Sequence, residues 1–231
     1  MAPVIVSLDN LSGEALSNAL SQTVPLLAGA SSMATTQLQR NFNQLIQSRQ
    51  TQLTGFSTGE KFVGNRNEWA TVFGNRGKQG KTKNVSGYSV GSGGLAFGFD
   101  TQFSAETNIG VGFAYANSKI DSDGDITNGS VDVDSYQFGI YGNHLHVSGW
   151  QANYQLDASL NKNDSSRSLN YFQGITGVGT KAKGSFNSYV AHAGLGLKKQ
   201  FNVNKKTSLT PELWADYTRV QTESYTEKDA G

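Results

Sequence analysis

The chain has 231 residues, no cysteine, a net charge of +1 and only 16% charged residues, where about a quarter is usual for a soluble domain. Disulfides and thiol chemistry are excluded within it, and 19 Lys+Arg scattered against 18 Asp+Glu form no nucleic-acid-binding patch. Gly (27) far outnumbers Pro (3), which suits long, curved strands better than a loop-rich fold.

No apolar run approaches the roughly 20 residues of a membrane helix. That says nothing about a β-barrel, whose lipid face is hidden in alternation, so a mean hydropathy of -0.43 is no argument against a membrane. Met1-Ala2-Pro3 lacks the charged start and apolar core of a signal peptide. The chain is therefore read either as cytosolic or as a piece of a longer exported protein.

Residues 12–52 have helical character. Ser12 is suited to an N-cap and Glu14 to the first turn, and Ala15, Leu16, Ala19 and Leu20 follow at helical spacing. The pattern restarts at Thr23-Val24-Pro25. A second stripe holds Met33, Leu38, Phe42, Leu45 and Ile46, with Gly29–Ser32 as a point of weakness. The rest of Thr35–Gln52 is Thr, Gln, Asn and Ser, with Arg40 and Arg49 as the only charges. A solvated surface helix carries many Glu–Lys pairs. A neutral-polar helix with two arginines suits an enclosed polar space, although a surface packing helix fits the apolar stripe equally well.

Near residue 60 the period switches to two. Trp69, Thr71 and Phe73 oppose Ala70, Val72 and Gly74; Leu95, Phe97 and Phe99 oppose Ala96, Gly98 and Asp100. Ile109, Val111, Phe113 and Tyr115 oppose Gly and Ala, and Tyr136, Phe138 and Ile140 oppose Gln137 and Gly139. The clearest case is Trp150, Ala152, Tyr154, Leu156, Ala158 and Leu160 against Gln151, Asn153, Gln155, Asp157, Ser159 and Asn161. Tyr189 to Lys198 and Leu209 to Thr218 complete seven strands, with Trp214 among the polar positions. Val131 and Val133 are out of phase with Tyr136 and Phe138, which predicts a bulge near Asp134–Ser135.

The connections alternate in length. Asn75–Ser86, Lys119–Gly129 and Lys162–Gly184 read as long polar links; Ser104–Asn108, Val147–Gly149 and Asn202–Thr207 read as short turns. Outer-membrane barrels have short periplasmic turns and longer outer loops. Trp69, Phe103, Trp150 and Phe201 cluster near the short-turn ends, where an interfacial aromatic girdle belongs. A soluble barrel or sandwich accounts for alternation, but not for ordered loops and an aromatic band together.

The runs Glu68-Trp69-Ala70-Thr71-Val72-Phe73-Gly74, Gly87-Tyr88-Ser89 and Gly93-Gly94-Leu95-Ala96-Phe97-Gly98 resemble the opening strands of the autotransporter β-domain, the translocator of type V secretion. Asp134-Ser135-Tyr136-Gln137-Phe138-Gly139-Ile140-Tyr141-Gly142, Leu209-Thr210-Pro211-Glu212 and Tyr217-Thr218-Arg219-Val220 are similar to its later strands, and Leu11-Ser12-Gly13-Glu14-Ala15 to the segment just upstream. The resemblance implies an outer-membrane barrel of about twelve strands, a helix threading its lumen, a passenger N-terminal to it and assistance from the barrel assembly machinery. Residues 23–52 would then be the lumenal helix or its lead-in. The resemblance puts the passenger ahead of residue 1, and single-chain bacterial barrels have even strand numbers, so with seven strands and an end at Asp229-Ala230-Gly231 the chain is expected to be truncated at both ends. An unclosed sheet leaves unpaired backbone edges.

Catalytic and metal signatures are weak. Asp121-Ser122-Asp123-Gly124-Asp125 is half a calcium loop, but Ile126 and Asp132 stand where Gly and Glu are needed. His144 and His146 point the same way on a strand without a third ligand. Gly87-Tyr88-Ser89-Val90-Gly91 fits G-x-S-x-G without a strand-to-helix context, and Gly91-Ser92-Gly93-Gly94 precedes no helix. Some autotransporters cleave their passenger at an Asn-Asn junction in the barrel, and Asn41-Phe42-Asn43 departs from that pair. No catalytic, cofactor or metal site is expected.

The sequence therefore predicts a mainly β fold: an incomplete antiparallel up-and-down transmembrane barrel (residues 61–231) preceded by a helical linker and lumen plug (residues 1–60). Its expected partners are outer-membrane lipid, a passenger and the assembly machinery, with no nucleic acid. The alternative is a secreted or surface β-domain acting as a binding module or adhesin, for which the apolar faces would pack inward. Arg40 or Arg49 is expected to pair with one of the inward acids Asp157, Glu212 or Asp216 and hold the plug.

Overall fold

Along Trp150–Asn161 the polar side chains are buried and the apolar ones exposed, the reverse of a soluble strand. Leu156 is 55% exposed while Asn153 is fully buried. The computed structural model describes residues 8–9, 11–23, 28–53, 66–80, 87–123, 129–169, 181–204, 207–224 and 226–228. Two helices, α1 (Gly13–Thr23) and α2 (Ala28–Gln52), precede the strands. These are β1 (Arg66–Gln79), β2 (Gly87–Ser104), β3 (Thr107–Asp123), β4 (Gly129–Leu145), β5 (Trp150–Ser168), β6 (Lys181–Lys199), β7 (Phe201–Asn204), β8 (Thr207–Leu209) and β9 (Glu212–Thr222).

Seven strands form one antiparallel sheet in the order β1-β2-β3-β4-β5-β6-β9, and β7 and β8 pair separately as a hairpin. The sheet is not closed: β1 and β9 are its edges among the described residues. The seven strands predicted are the seven of the sheet, but they are longer than the alternation alone indicates. Much of the expected long links at Asn75–Ser86, Lys119–Gly129 and Lys162–Gly184 is strand, because polar extensions keep pairing with their neighbours past the apolar band. The turns at the opposite end remain short. Ala105–Glu106 separates β2 from β3, and His146–Gly149 closes β4 onto β5 with Gly149 at φ +79.

Outward residues form one apolar band of Phe97, Phe99, Ile109, Phe113, Phe138, Ile140, Tyr154, Leu156 and Leu195. Phe97, Phe113 and Phe138 stack across neighbouring strands, with centroids 5.5 and 5.0 Å apart. At one margin stand Phe103, Trp150 and Phe201. At the other stand Tyr115, Tyr136 and Tyr189, the first two with ring centroids 5.4 Å apart. Tyr136 pairs in register with Leu160. From residue 150 to 160, a rise of roughly 3.3 Å per residue is about 33 Å along the strand, and about 25 Å along the normal at the usual tilt of about 40°. That matches the apolar band of an outer-membrane barrel.

Four expectations are corrected. Pairing is continuous through Asp134 and Ser135 on both sides of β4, so no bulge exists there. Val131 and Val133 instead share the inward side with Ser135 and Gln137, because this end of β4 packs on Ala34 and Leu38 of α2. In β1 the phase is the opposite of that expected: Trp69 and Phe73 face the helix and Val72 faces out. Trp69 lies across Gly98, its register partner on β2, where a Cβ would come within 2.5 Å of the indole. In α2, Met33 is exposed and the inward apolar stripe is Ala34, Leu38, Phe42 and Ile46. Gly29–Ser32 does not interrupt α2, and the expected restart at Val24-Pro25 lies outside the described residues.

Leu156→Arg is predicted to destabilise the folded protein in lipid vesicles by about 2–4 kcal/mol, the range for a cation near the middle of a barrel's lipid face. Leu156→Ala serves as the mild control, with reversible urea unfolding as the measurement.

Candidate functional site

Helix α2 lies against the polar side of β3 to β6, bringing two neighbouring ladders at i, i+4 spacing onto the wall. The apolar one, Ala34, Leu38, Phe42 and Ile46, packs on Ala114, Ala116, Ile120, Val131, Val133 and Tyr141. The polar one is Ser31, Thr35, Gln39 and Asn43. The Ser31 hydroxyl donates to Asn163 Oδ1, Thr35 Oγ1 is 3.4 Å from Ser188 Oγ, and Gln39 Nε2 donates to Asp157 Oδ1. Asn43 Oδ1 accepts from Gln39 Nε2 at 2.8 Å and Gln155 Nε2 at 3.2 Å.

The two elements match in pitch. From residue 31 to 43 a helix rises about 18 Å at 1.5 Å per residue. From residue 163 to 155 a strand covers about 26 Å, or about 19 Å once tilted by about 40–45°. Each polar rung of α2 therefore meets a polar rung of the wall. The tie continues at Gln50, whose Nε2 donates to the carbonyls of Gly142 at 2.9 Å and Tyr154 at 2.8 Å.

Two charged clusters fix the helix. At its C-terminal end Arg49 Nε donates to Asp100 Oδ2 at 2.7 Å and Nη2 to Oδ1 at 3.2 Å. Their side chains are 7% and 0% exposed. Asp100 also accepts from Tyr141 Oη at 3.0 Å and Asn67 Nδ2 at 3.2 Å, and Tyr141 Oη accepts from Trp69 Nε1 at 2.7 Å. This network joins α2 to β1, β2 and β4. Across the sheet, His192 stands between two carboxylates, with Nδ1 2.7 Å from Asp157 Oδ2 and Nε2 3.1 Å from Asp216 Oδ1. Asp157 thus links β5, β6 and β9 to Gln39 of the helix.

The expected pairing of Arg40 or Arg49 with Asp157, Glu212 or Asp216 is not formed. Arg40 lies on the exposed side of α2, turned from the sheet, and makes no ion pair among the described residues. Arg49 is carried past Asp157 to the level of Asp100. Glu212 is exposed, in register with Lys198, and accepts from Asn153 Nδ2 at 3.3 Å. Asp100 and His192 carry the charge contacts that the expected set lacked. Their period-two phase marks them, since Asp100 follows Ala96 and Gly98 and His192 precedes Gly194 and Gly196 on the inward side. Trp69 leaves the girdle for the interior, whereas Phe103, Trp150 and Phe201 are exposed at the short-turn end.

The weaker motifs are also located. Gly87–Gly94 is continuous strand, paired on both sides from Tyr88 onward, with neither a nucleophile elbow nor a helix after it. His144 Nδ1 is 2.9 Å from Thr107 Oγ1, and His146 Nδ1 is 2.7 Å from Ser148 Oγ in the turn. Asp125 lies outside the described residues.

The autotransporter beta-domain family matches residues 69–231. The chain belongs to this family, and its place is the Gram-negative outer membrane. A curated relative, Outer membrane protein B of Rickettsia japonica, is 28% identical over 169 residues, 69% of this chain and 10% of the relative. The chain thus spans about a tenth of that protein's length. Among solved structures, the translocator domain of autotransporter NalP from Neisseria meningitidis superposes with a TM-score of 0.60 at 16% identity, covering 90% of this chain and 64% of that one. The beta domain of the Bordetella autotransporter BrkA gives 0.50 at 14% identity, covering 72% and 66%. The chain spans slightly less than two thirds of each.

Arg49→Met is predicted to destabilise the fold by about 3 kcal/mol, because it leaves Asp100 buried without its cation. A double-mutant cycle with Asp100→Leu is expected to give a coupling above about 1 kcal/mol; coupling near zero would mark the pair as no stronger than a surface one.

Proposed function

We propose that this chain is the membrane-anchoring translocator segment of an autotransporter, with residues 1–60 as linker and lumen plug and residues 61–231 as barrel wall. The observation that carries this is the direction of α2. Its N-terminal end meets Asn163, Ile120 and Val131 at the long-link end of the strands; its C-terminal end meets Asp100 and Gly142 at the short-turn end. Helix α1 continues the trend, with Ala19 packed on Leu169 and Ala182. Short turns face the periplasm in such barrels, so polypeptide ahead of α1 leaves on the cell-surface side.

On this reading the chain catalyses no reaction and needs no cofactor. Its work is to hold a passenger at the surface, and the assembly machinery would insert the strands. The outward exposure of Trp150, Tyr154, Leu156, Ile109 and Phe113 weighs against the binding-module alternative, in which these side chains would form a core.

The test is topological and uses the full-length protein in intact cells. An epitope placed ahead of α1 is expected to be cleaved by added protease, and one in the Ala105–Glu106 turn to be protected until the outer membrane is breached. The opposite pattern, or equal protection of both, contradicts the proposal.

A further inference from the structure

At the short-turn margin, Lys199 sits between two of the aromatic side chains that border the apolar band. Its Nζ is 5.4 Å from the ring centroid of Trp150 and 5.5 Å from that of Phe201. Lys199 and Trp150 are register partners on β6 and β5, so the backbone ladder holds the pair together. Both rings are exposed on the outer face. No carboxylate pairs with Lys199 among the described residues.

The sequence around it is one-sided. Residues 198–208, Lys-Lys-Gln-Phe-Asn-Val-Asn-Lys-Lys-Thr-Ser, contain four lysines and no acid. The β7–β8 hairpin beside it exposes Phe201, Val203 and Leu209, with Phe201 and Leu209 in register. A cation held beside two aromatic rings at headgroup depth has the chemistry to receive a lipid phosphate.

We propose that Lys199, bracketed by Trp150 and Phe201, forms a binding site for the headgroup phosphate of an anionic phospholipid in the leaflet facing the short turns. The proposal rests on the membrane placement of this sheet. It adds a preference for lipid charge at one point on the rim. Charge complementarity argues for that occupant over a zwitterionic lipid, because no acid among the described residues neutralises the lysine. The cation–π contacts hold the ammonium in place rather than satisfying it.

The test uses bromine-labelled acyl chains, which quench tryptophan on contact. Full-length protein and its Trp150→Phe variant are reconstituted in phosphatidylcholine vesicles, and the difference between them isolates the Trp150 emission. Vesicles are then doped at equal mole fraction with either dibromo-phosphatidylcholine or dibromo-phosphatidylglycerol. Phosphatidylglycerol is expected to be enriched about five-fold at Trp150, the worth of one lysine near an anionic surface. Lys199→Gln should bring the two lipids to parity while leaving phosphatidylcholine quenching in place. Equal quenching in the unmodified protein, or a preference that survives Lys199→Gln, overturns the site. Absence of quenching by dibromo-phosphatidylcholine overturns instead the membrane placement on which the site depends. Single Gln variants of Lys198, Lys205 and Lys206 separate the specific site from diffuse attraction: the full preference retained in each supports the site, and a partial loss shared among them and Lys199→Gln contradicts it.

Discussion

The controlling constraint is what becomes of a polar strand face when the other face belongs to lipid. Each buried polar group left unpaired costs about 1–3 kcal/mol, and the inward side of β5 alone presents Gln151, Asn153, Gln155, Asp157, Ser159, Asn161 and Asn163. Alternation that sends apolar side chains outward thus creates a need for something polar inside. Helix α2 meets it with amides and hydroxyls spaced four residues apart, at a rise equal to the tilted rise of the wall. A conventional amphipathic helix would cover the face and leave its amides unsatisfied. The composition of α2, rich in Gln, Asn, Ser and Thr and almost free of charge, follows from this.

Against that neutral background a few charges fix position. Arg49 reaches Asp100 in two hydrogen bonds, and Tyr141 and Asn67 complete the carboxylate's set, so the pair is solvated by protein rather than merely buried. The Asp157–His192–Asp216 cluster does the same on the other flank, tying the edge strand β9 to the strands that hold the helix. Gln39 Oε1, Gln137 Oε1 and Gln155 Oε1 are buried without a protein partner among the described residues. The axial position of α2 is therefore set at discrete points.

Much of this was legible in the residues themselves. Period two is a local property, so strand number, outward faces and turn order could be read directly from Trp150–Asn161 and its neighbours. The misjudged features depend on distant contacts. Trp69 and Phe73 look like lipid-facing aromatics until Gly98 and Gly94 on the next strand are seen to make room for them inside. Val131 and Val133 look out of phase because a lumen is assumed to be polar throughout, whereas α2 presents Ala34 and Leu38 at that level. The choice of acid for Arg49 needed the axial position of α2 against β2, which no spacing within either segment encodes.

Which side of β5 meets lipid decides the orientation of the whole wall. Spin labels placed singly from residue 150 to 161, with oxygen and a water-soluble nickel chelate as competing relaxants, measure this directly in reconstituted full-length protein. Oxygen accessibility is expected to oscillate with period two, high at 150, 152, 154, 156, 158 and 160 and low between. A profile in the opposite phase, with the even positions shielded as a packed core, would contradict the structure of the wall and everything built on it.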